Sequence, residues 1–553
     1  MRLCAFAAAF LVAIVPTSTV LAQHHVPDAD PAMVQSKAPL LDNIGNLHHV
    51  VSTENKLAQR YFDQGLTLAY GFNHMEAERS FLNAAGLDPR LAMAYWGQAL
   101  ALGPNINDPQ PAEREKRAHA AIQKAIARRE NASDKERAFI DALGKRYSDA
   151  PGIDRKLRDQ QYAIAMQAVA KAYPDDPDAL TLYADALMNV MPWDYYLPDG
   201  TPKPDTSKAI DAVERAMKLA PNHPGANHLY IHLVEPSQSP DRAVPSAEKL
   251  ETLVPVAGHL VHMPAHIYMR VGRYADAVHS NEMAIVADEA YLAQCRAQGI
   301  YPLGYYPHNL HFLAFALMMD GRREASLAAA RKVQGRVPHD MKEVPAWGNV
   351  FYSVPVFAMA RFGQWQLLLA QPQPPANMPF AQGIWHYGRG LAFARTNQLK
   401  AAARELPQVR QIQKLPAMKD YVAGANQATQ LLELAALVLE GEMAAARKDY
   451  RQSIACLERA VAVQDSLKYN EPEDWYYPVR HTLGAVLLEA RKPAEAERIY
   501  REDLKRNREN GWSLFGLAQS LRAQGKAEEA VQVEQRYKKT WERADVKLTA
   551  TRF

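Results

Sequence analysis

Apolar residues return along this chain at helical spacing, three and four positions apart, in segments closed by short polar or Gly- and Pro-containing turns. Ala, Leu, Glu, Arg and Gln dominate these segments, and the alternating Val, Ile and Thr runs that strands need do not occur. The pattern predicts an all-α chain. Each helix pair is expected to bury its apolar stripe only against its neighbours.

The segments repeat. Residues 58–91, AQRYFDQGLTLAYGFNHMEAERSFLNAAGLDPRL, carry Gly65, Ala77, Phe81, Ala84 and Pro89 in the order G…A-x3-F-x2-A-x4-P, within a unit of about 34 residues. Glycine or alanine lets two helices approach, the aromatic ring fills the gap between them, and proline ends the second helix. Matching remnants carry Ala209, Val213, Ala216 and Pro221, then Ala243, Ala247, Leu250 and Pro255, then Gly272, Tyr274, Ala277 and Ala284. Later units contain Gly321 with Pro338, Gly390 with Ala402, Gly441 with Ala460, Gly484 with Ala496 and Tyr500, and Trp512, Phe515 and Gly516 followed by Gly525 and Ala530. This spacing resembles the tetratricopeptide repeat (TPR), over most of residues 57–540. The resemblance implies an α-solenoid, a right-handed superhelix of helix pairs with a concave groove.

Aromatic and Pro-rich insertions interrupt the array at 191–208, 300–309, 371–380 and 471–480, where loops are expected to dock on the solenoid wall or to cover a ligand. The expected organisation is a signal peptide at 1–22, an N-terminal extension at 23–56, a solenoid at 57–370, a Pro-rich loop at 371–380 and C-terminal repeats at 381–545. The extension, with the pairs His24-His25 and His48-His49, is expected to be a flexible lead-in rather than a metal site.

The first residues follow the layout of a cleaved secretory leader: Arg2, an apolar run from Leu3 to Val15, and a small-residue tail ending at Ala22. A soluble, exported chain, periplasmic or secreted, is therefore expected. Cys4 leaves with the leader; Cys295 and Cys456 sit in distant units and are expected to be free, buried thiols. The net charge of +3 over 553 residues, with Lys and Arg scattered among Asp and Glu, supplies no basic stripe for nucleic acid.

The chemistry lies between Gly225 and Phe312. His228 and His232, His262 and His266, and His308 and His311 fall on three successive predicted helices, and imidazoles four residues apart share one helix face. In TPR proteins, the resemblance implies, these first-helix positions line the groove, which brings six imidazoles onto one wall. Glu235 lies one turn beyond His232 as a further ligand or a group fixing an imidazole tautomer, and His259 precedes His262 by three. Such a set suits Zn, Cu or Fe without choosing among them. Arg270, one turn beyond His266, is a candidate for an anionic group; Tyr230, Tyr268, Tyr306 and Asn309, with Tyr305, are candidate ligand contacts, and His386 is a weaker metal candidate.

GxSxG, GxxxxGK[ST], GxGxxG, HExxH and CxxC are all missing. Two readings stay open. In the first, the chain is an exported TPR solenoid binding a protein, peptide or small-molecule ligand in its concave groove, with the histidines as contacts or metal ligands. In the second, it is a metal-dependent enzyme acting on a small molecule there. A third, anion capture by Arg270 and protonated histidines, predicts binding that weakens above about pH 7. The chain also resembles exported bacterial TPR proteins that share YWGQALALGPNIN, HMPAHIYMRVGRY and ENGWSLFGLAQSL, a likeness that implies fold and export only.

Overall fold

Phe81 shows how the repeat signature builds the fold. It lies on the helix His74–Leu87 and is fully buried. A Cβ added to Gly65, on the preceding helix Lys56–Tyr70, would stand 2.8 Å from its ring, and one on Gly97, in the next unit, would collide with it. The two glycines thus admit the aromatic that locks three helices together. Tyr500 does the same near the other end, wedged between Gly484 and Gly516. Helix follows helix in this manner from Lys56 to Thr540, and the computed structural model describes residues 36–148, 154–197, 200–338 and 346–553. The described residues hold one hairpin, Val422–Ala423 against Asn426–Gln427. The chain is an all-α solenoid of TPR-like helix pairs.

The helix-to-helix turn of a unit needs one residue in the left-handed region, supplied by Gly272, Gly321, Gly525, Asn397, Lys448 and Arg491. Phe72 takes this position in the first unit, with φ +59°.

Two expectations are corrected. The described part of the N-terminal extension is not a loose lead-in: the Leu41 amide donates to Gln64 at 2.8 Å, Tyr61 donates to the Ala38 carbonyl, and His49 is buried with its Nδ1 2.7 Å from Asp178. The leader, His24 and His25 lie outside the described residues. The stretch 300–309 is not a loop; a π-helical turn, Tyr301–Tyr305, runs straight into the helix Tyr306–Met319. Pro307 sits in the first turn of that helix, where its missing N–H is not needed.

The end of the chain packs back on its middle. Trp512 donates to the Met318 carbonyl at 3.0 Å, Tyr274 donates to the Arg508 carbonyl at 2.8 Å, and Asp545 accepts from the Arg323 and Glu324 amides at the start of the helix Arg323–Gln334. At the other end, His228 reaches the Tyr70 carbonyl, and Arg79 reaches that of Cys295. These contacts enclose the histidine-bearing repeats. Cys295 and Cys456 are both free and buried. Among the described residues no helix is long and apolar enough to cross a membrane.

Candidate metal centre

Three neighbouring segments carry the histidines: the helix Pro224–Val234; the pair Gly258–His262 and Pro264–Val271, broken at Met263 ahead of Pro264; and Tyr306–Met319. Met263 keeps right-handed helical angles (φ −51°, ψ −35°), so His262 and His266 still share a face across the break. The helix Pro224–Val234 is fixed at its start. His223 Nδ1 accepts from the Ala226 amide, and its Nε2 donates to Asp178, which also accepts from His49 and Tyr70. Against burial, the bonds from His223 and His49 hold the Asp178 carboxyl well below its usual range.

Two groups of three imidazoles result. In the first, His228, His232 and His259 place their ring centroids 4.9 Å (228–232), 5.0 Å (228–259) and 6.1 Å (232–259) apart. In the second, the separations are 4.5 Å (262–266), 4.8 Å (262–308) and 5.9 Å (266–308). An ion bound at 2.0–2.1 Å by three imidazole nitrogens in tetrahedral array holds the ring centres about 5 Å apart. Both groups fit, and within each a potential ligand atom from every residue lies within 4.8 Å of the others. Five of the six are buried, with His228 and His262 0% exposed and His232, His259 and His266 1% exposed, while His308 is half-buried.

The outer nitrogens are held in a consistent way. His228 Nδ1 donates to the Tyr70 carbonyl at 2.6 Å, His232 Nδ1 to Glu235 Oε1 at 2.9 Å, and His262 Nδ1 to Asn281 Oδ1 at 2.7 Å. Asn281 is oriented for this by its own Nδ2 bond to Ala277. His266 Nδ1 donates to Glu235 Oε2 at 2.9 Å and contacts Glu471. With a proton fixed on Nδ1, the Nε2 lone pair is left to face inward. Nε2 of His228 and His232, and both ring nitrogens of His259, are buried without a hydrogen-bond partner. In the second group Nε2 of His262 lies 2.7 Å from that of His266 and 3.1 Å from that of His308. Lone pairs cannot meet at this distance without a cation, a proton or a metal, between them.

The electrostatics agree. Burial first, then neighbouring histidines, holds His228, His259, His262 and His308 well below the usual imidazole range, which favours their neutral form. His266 is the exception. Against burial, the charges of Glu471 and Glu235 hold it up at about 10, and its Nε2–H then donates to His262. Burial and the charge of Glu235 push the Glu471 carboxyl up, while the His266 charge and bonds from Glu471, His232 and His266 outweigh burial and hold Glu235 down. One proton is shared between the two carboxyls.

The first group is walled by aromatic rings. Phe72 lies 4.6 Å from His228 and 5.3 Å from His259, and Trp193 lies 5.2 Å from His232. Phe72 and Trp193 (φ +61°) both sit in the left-handed region, a strained state for bulky residues that costs about 1–3 kcal/mol each. Beyond Phe72 is a cavity of about 30 Å³, lined in part by His74, Asn105, Arg146 and Asp185. It is large enough for water and too small for a large substrate.

Of the expected metal ligands, His228, His232, Glu235, His262, His266 and His308 are brought together, with His259 as a full member. His311 is not. Its ring packs on Phe351 and Tyr476, and its Nε2 is buried without a partner there. The expected ligand contacts are committed elsewhere: Tyr230 donates to Glu214, Tyr268 to Glu251, Tyr306 to Glu289, Asn309 Nδ2 to Asp288, and Arg270 to the Ser237 carbonyl while stacking on Tyr469. His386 pairs with Glu405. Glu471 and Tyr469, whose hydroxyl donates to Glu235 at 2.7 Å, went unread because they come from a non-periodic segment more than 200 residues away; the dense aromatics of EPEDWYYPVR were its only signal.

No family model and no curated protein matches this chain. Solved structures that align with it include a human IFIT1 dimer with m7Gppp-AAAA (12% identity, 88% of this chain and 91% of that one, TM-score 0.31). The APC/C hetero-tetramer Cut9–Hcn1 (12%, 87% and 76%, TM-score 0.31) and the P58(IPK) TPR domain (13%, 87% and 92%, TM-score 0.21) align similarly. By its own helix pairs, the chain is a TPR-type α-solenoid with a buried histidine–carboxylate cluster in its middle repeats.

Proposed function

We propose that this chain is a metalloprotein in which the solenoid holds a first-row transition metal, Zn, Cu or Fe, within the buried histidine cluster. One observation carries the reading: four imidazoles have Nδ1 anchored to a carbonyl, a carboxylate or an amide oxygen, while Nε2 atoms converge in the interior, several without any partner. A purely structural histidine is expected to bond through both nitrogens, and orphaned buried polar atoms are costly. His228, His232, His259, His262, His266 and His308 would hold the ion; Tyr70, Glu235, Glu471 and Asn281 orient them. Phe72 and Trp193 beside the first group, and Phe312, whose ring lies 4.9 Å from His262 and 4.8 Å from His266, would exclude water. When bound, the ion supplies Lewis-acid chemistry or, as Cu or Fe, one-electron chemistry. The leader-like first 22 residues support export as the setting in which the metal is acquired.

The test is elemental analysis of untagged protein expressed with added metal, beside a His262→Gln/His266→Gln variant whose folding is checked by circular dichroism. The reading predicts near-stoichiometric metal, lost in the folded variant. Trace metal in the parent chain refutes it.

A further inference from the structure

The geometry points to two metal ions held side by side, one in each group of three imidazoles, close enough to share a small bridging ligand. This rests on the metal-binding reading above and specifies it. The groups are separate in composition: no histidine belongs to both, and each supplies three rings at separations suited to one ion. They are also adjacent. His232 and His266 stand 5.7 Å apart across the boundary, and His259 and His262 stand 5.9 Å apart, no further than the widest pairs within the groups at 6.1 and 5.9 Å. Glu235 spans the boundary, with Oε1 on His232 of one group and Oε2 on His266 of the other. One carboxylate therefore sets the tautomers of both groups. Three neutral nitrogens leave each ion an open position, as in catalytic rather than structural sites.

Charge balance refines the proposal. Once an ion takes the place of the proton on His266 Nε2, six neutral imidazoles offset no charge, and the carboxyls beside them are Glu235 and Glu471. If the proton shared by Glu235 and Glu471 leaves on metal binding, two monovalent Cu ions match two carboxylates. Two divalent ions leave an excess of two positive charges in a buried site, which a bridging hydroxide or another small anion would reduce. His232, Glu235 and Glu471 also come within ligand range of one another. Their contacts run through Nδ1 of His232, the nitrogen turned away from the convergent Nε2 atoms, so this third set orients ligands rather than holding an ion.

The experiment uses the full chain, stripped with chelator and reloaded with Zn(II) alone for native mass spectrometry, or with Cu(II) alone for electron paramagnetic resonance. Two Zn per chain are expected, with one remaining in His228→Gln/His259→Gln and one in His262→Gln/His308→Gln. Because buried substitutions sometimes prevent folding, the Cu(II)-loaded parent chain gives an independent readout: two neighbouring ions produce a half-field transition or loss of signal relative to total copper. A single Zn removed by either double variant, three Zn per chain, or two magnetically isolated Cu(II) signals each overturn the two-ion arrangement while leaving metal binding intact. No metal uptake at all overturns the metal-binding reading itself.

Discussion

Substituting Glu235 by Gln keeps the size of the side chain and removes its charge. In the parent chain both oxygens accept, Oε1 from His232 Nδ1 and Oε2 from His266 Nδ1, each at 2.9 Å, with Tyr469 donating to Oε2 as well. Glutamine has only one acceptor to offer. Its NH2 would face the Nδ1–H of one histidine, donor against donor, and that imidazole escapes by moving its proton to Nε2. The nitrogen needed for the ion is then blocked. Loss of such an orienting partner lowers metal affinity by about 10–100-fold, or about 1.4–2.7 kcal/mol. Stability of the metal-free chain should move less, because the lost bonds are offset by relief of the repulsion that raises Glu471. Competition against a chromophoric chelator measures the affinity, and thermal unfolding in excess chelator measures the stability. Unchanged affinity in a folded Glu235→Gln chain would refute the claim that this carboxylate sets the ligand tautomers.

Other predictions concern the misread histidine, the repeat core and acid stability. His311→Ala should leave metal content unchanged, whereas His308→Ala should lower it; equal losses on elemental analysis would contradict the assignment of His308, and not His311, to the second group. Phe81→Ala should cost about 3–5 kcal/mol and Gly516→Ala about 1–3 kcal/mol, the latter because its methyl would meet the Tyr500 ring; denaturant melts check both. Burial lowers His74 and His311 from 6.5 to about 3. A histidine lowered in the folded state contributes stability that is present above its unfolded pKa and declines as pH falls below 6.5. These two account for a slope of about 2.7 kcal/mol per pH unit between 6.5 and 3, so His74→Gln/His311→Gln should flatten the acid limb of stability in chelator by about that much. An unaltered limb would show that neither is buried neutral.

The helix pairs were legible because each signature residue has a local cause: Phe81 needs Gly65 and Gly97, and Tyr500 needs Gly484 and Gly516, and that spacing is written in the chain. The two i,i+4 histidine pairs were legible for the same reason, since four residues advance a helix by 40° beyond a full turn and leave both rings on one face. His308 and His311 are three apart, 60° short of a turn, and only His308 points inward. His259 also lies three from His262, yet joins the cluster through the first group, which depends on packing between helices rather than on one helix face. Glu471, Tyr469, Asn281 and the Tyr70 carbonyl could not be read, because periodicity describes one element at a time and these reach the site from other elements. No local pattern encodes the return of the C-terminal repeats and the 469–477 segment onto the middle of the coil.

Anomalous scattering from crystals of untagged chain, recorded on both sides of the absorption edge of whichever metal elemental analysis finds, would locate the ions among the imidazoles. A peak is expected within about 2.1 Å of the Nε2 atoms of His262, His266 and His308, and a second within the same distance of ligand nitrogens of His228, His232 and His259. Well-ordered imidazoles with no anomalous peak among them, in crystals grown with that metal present, would contradict metal binding by the cluster.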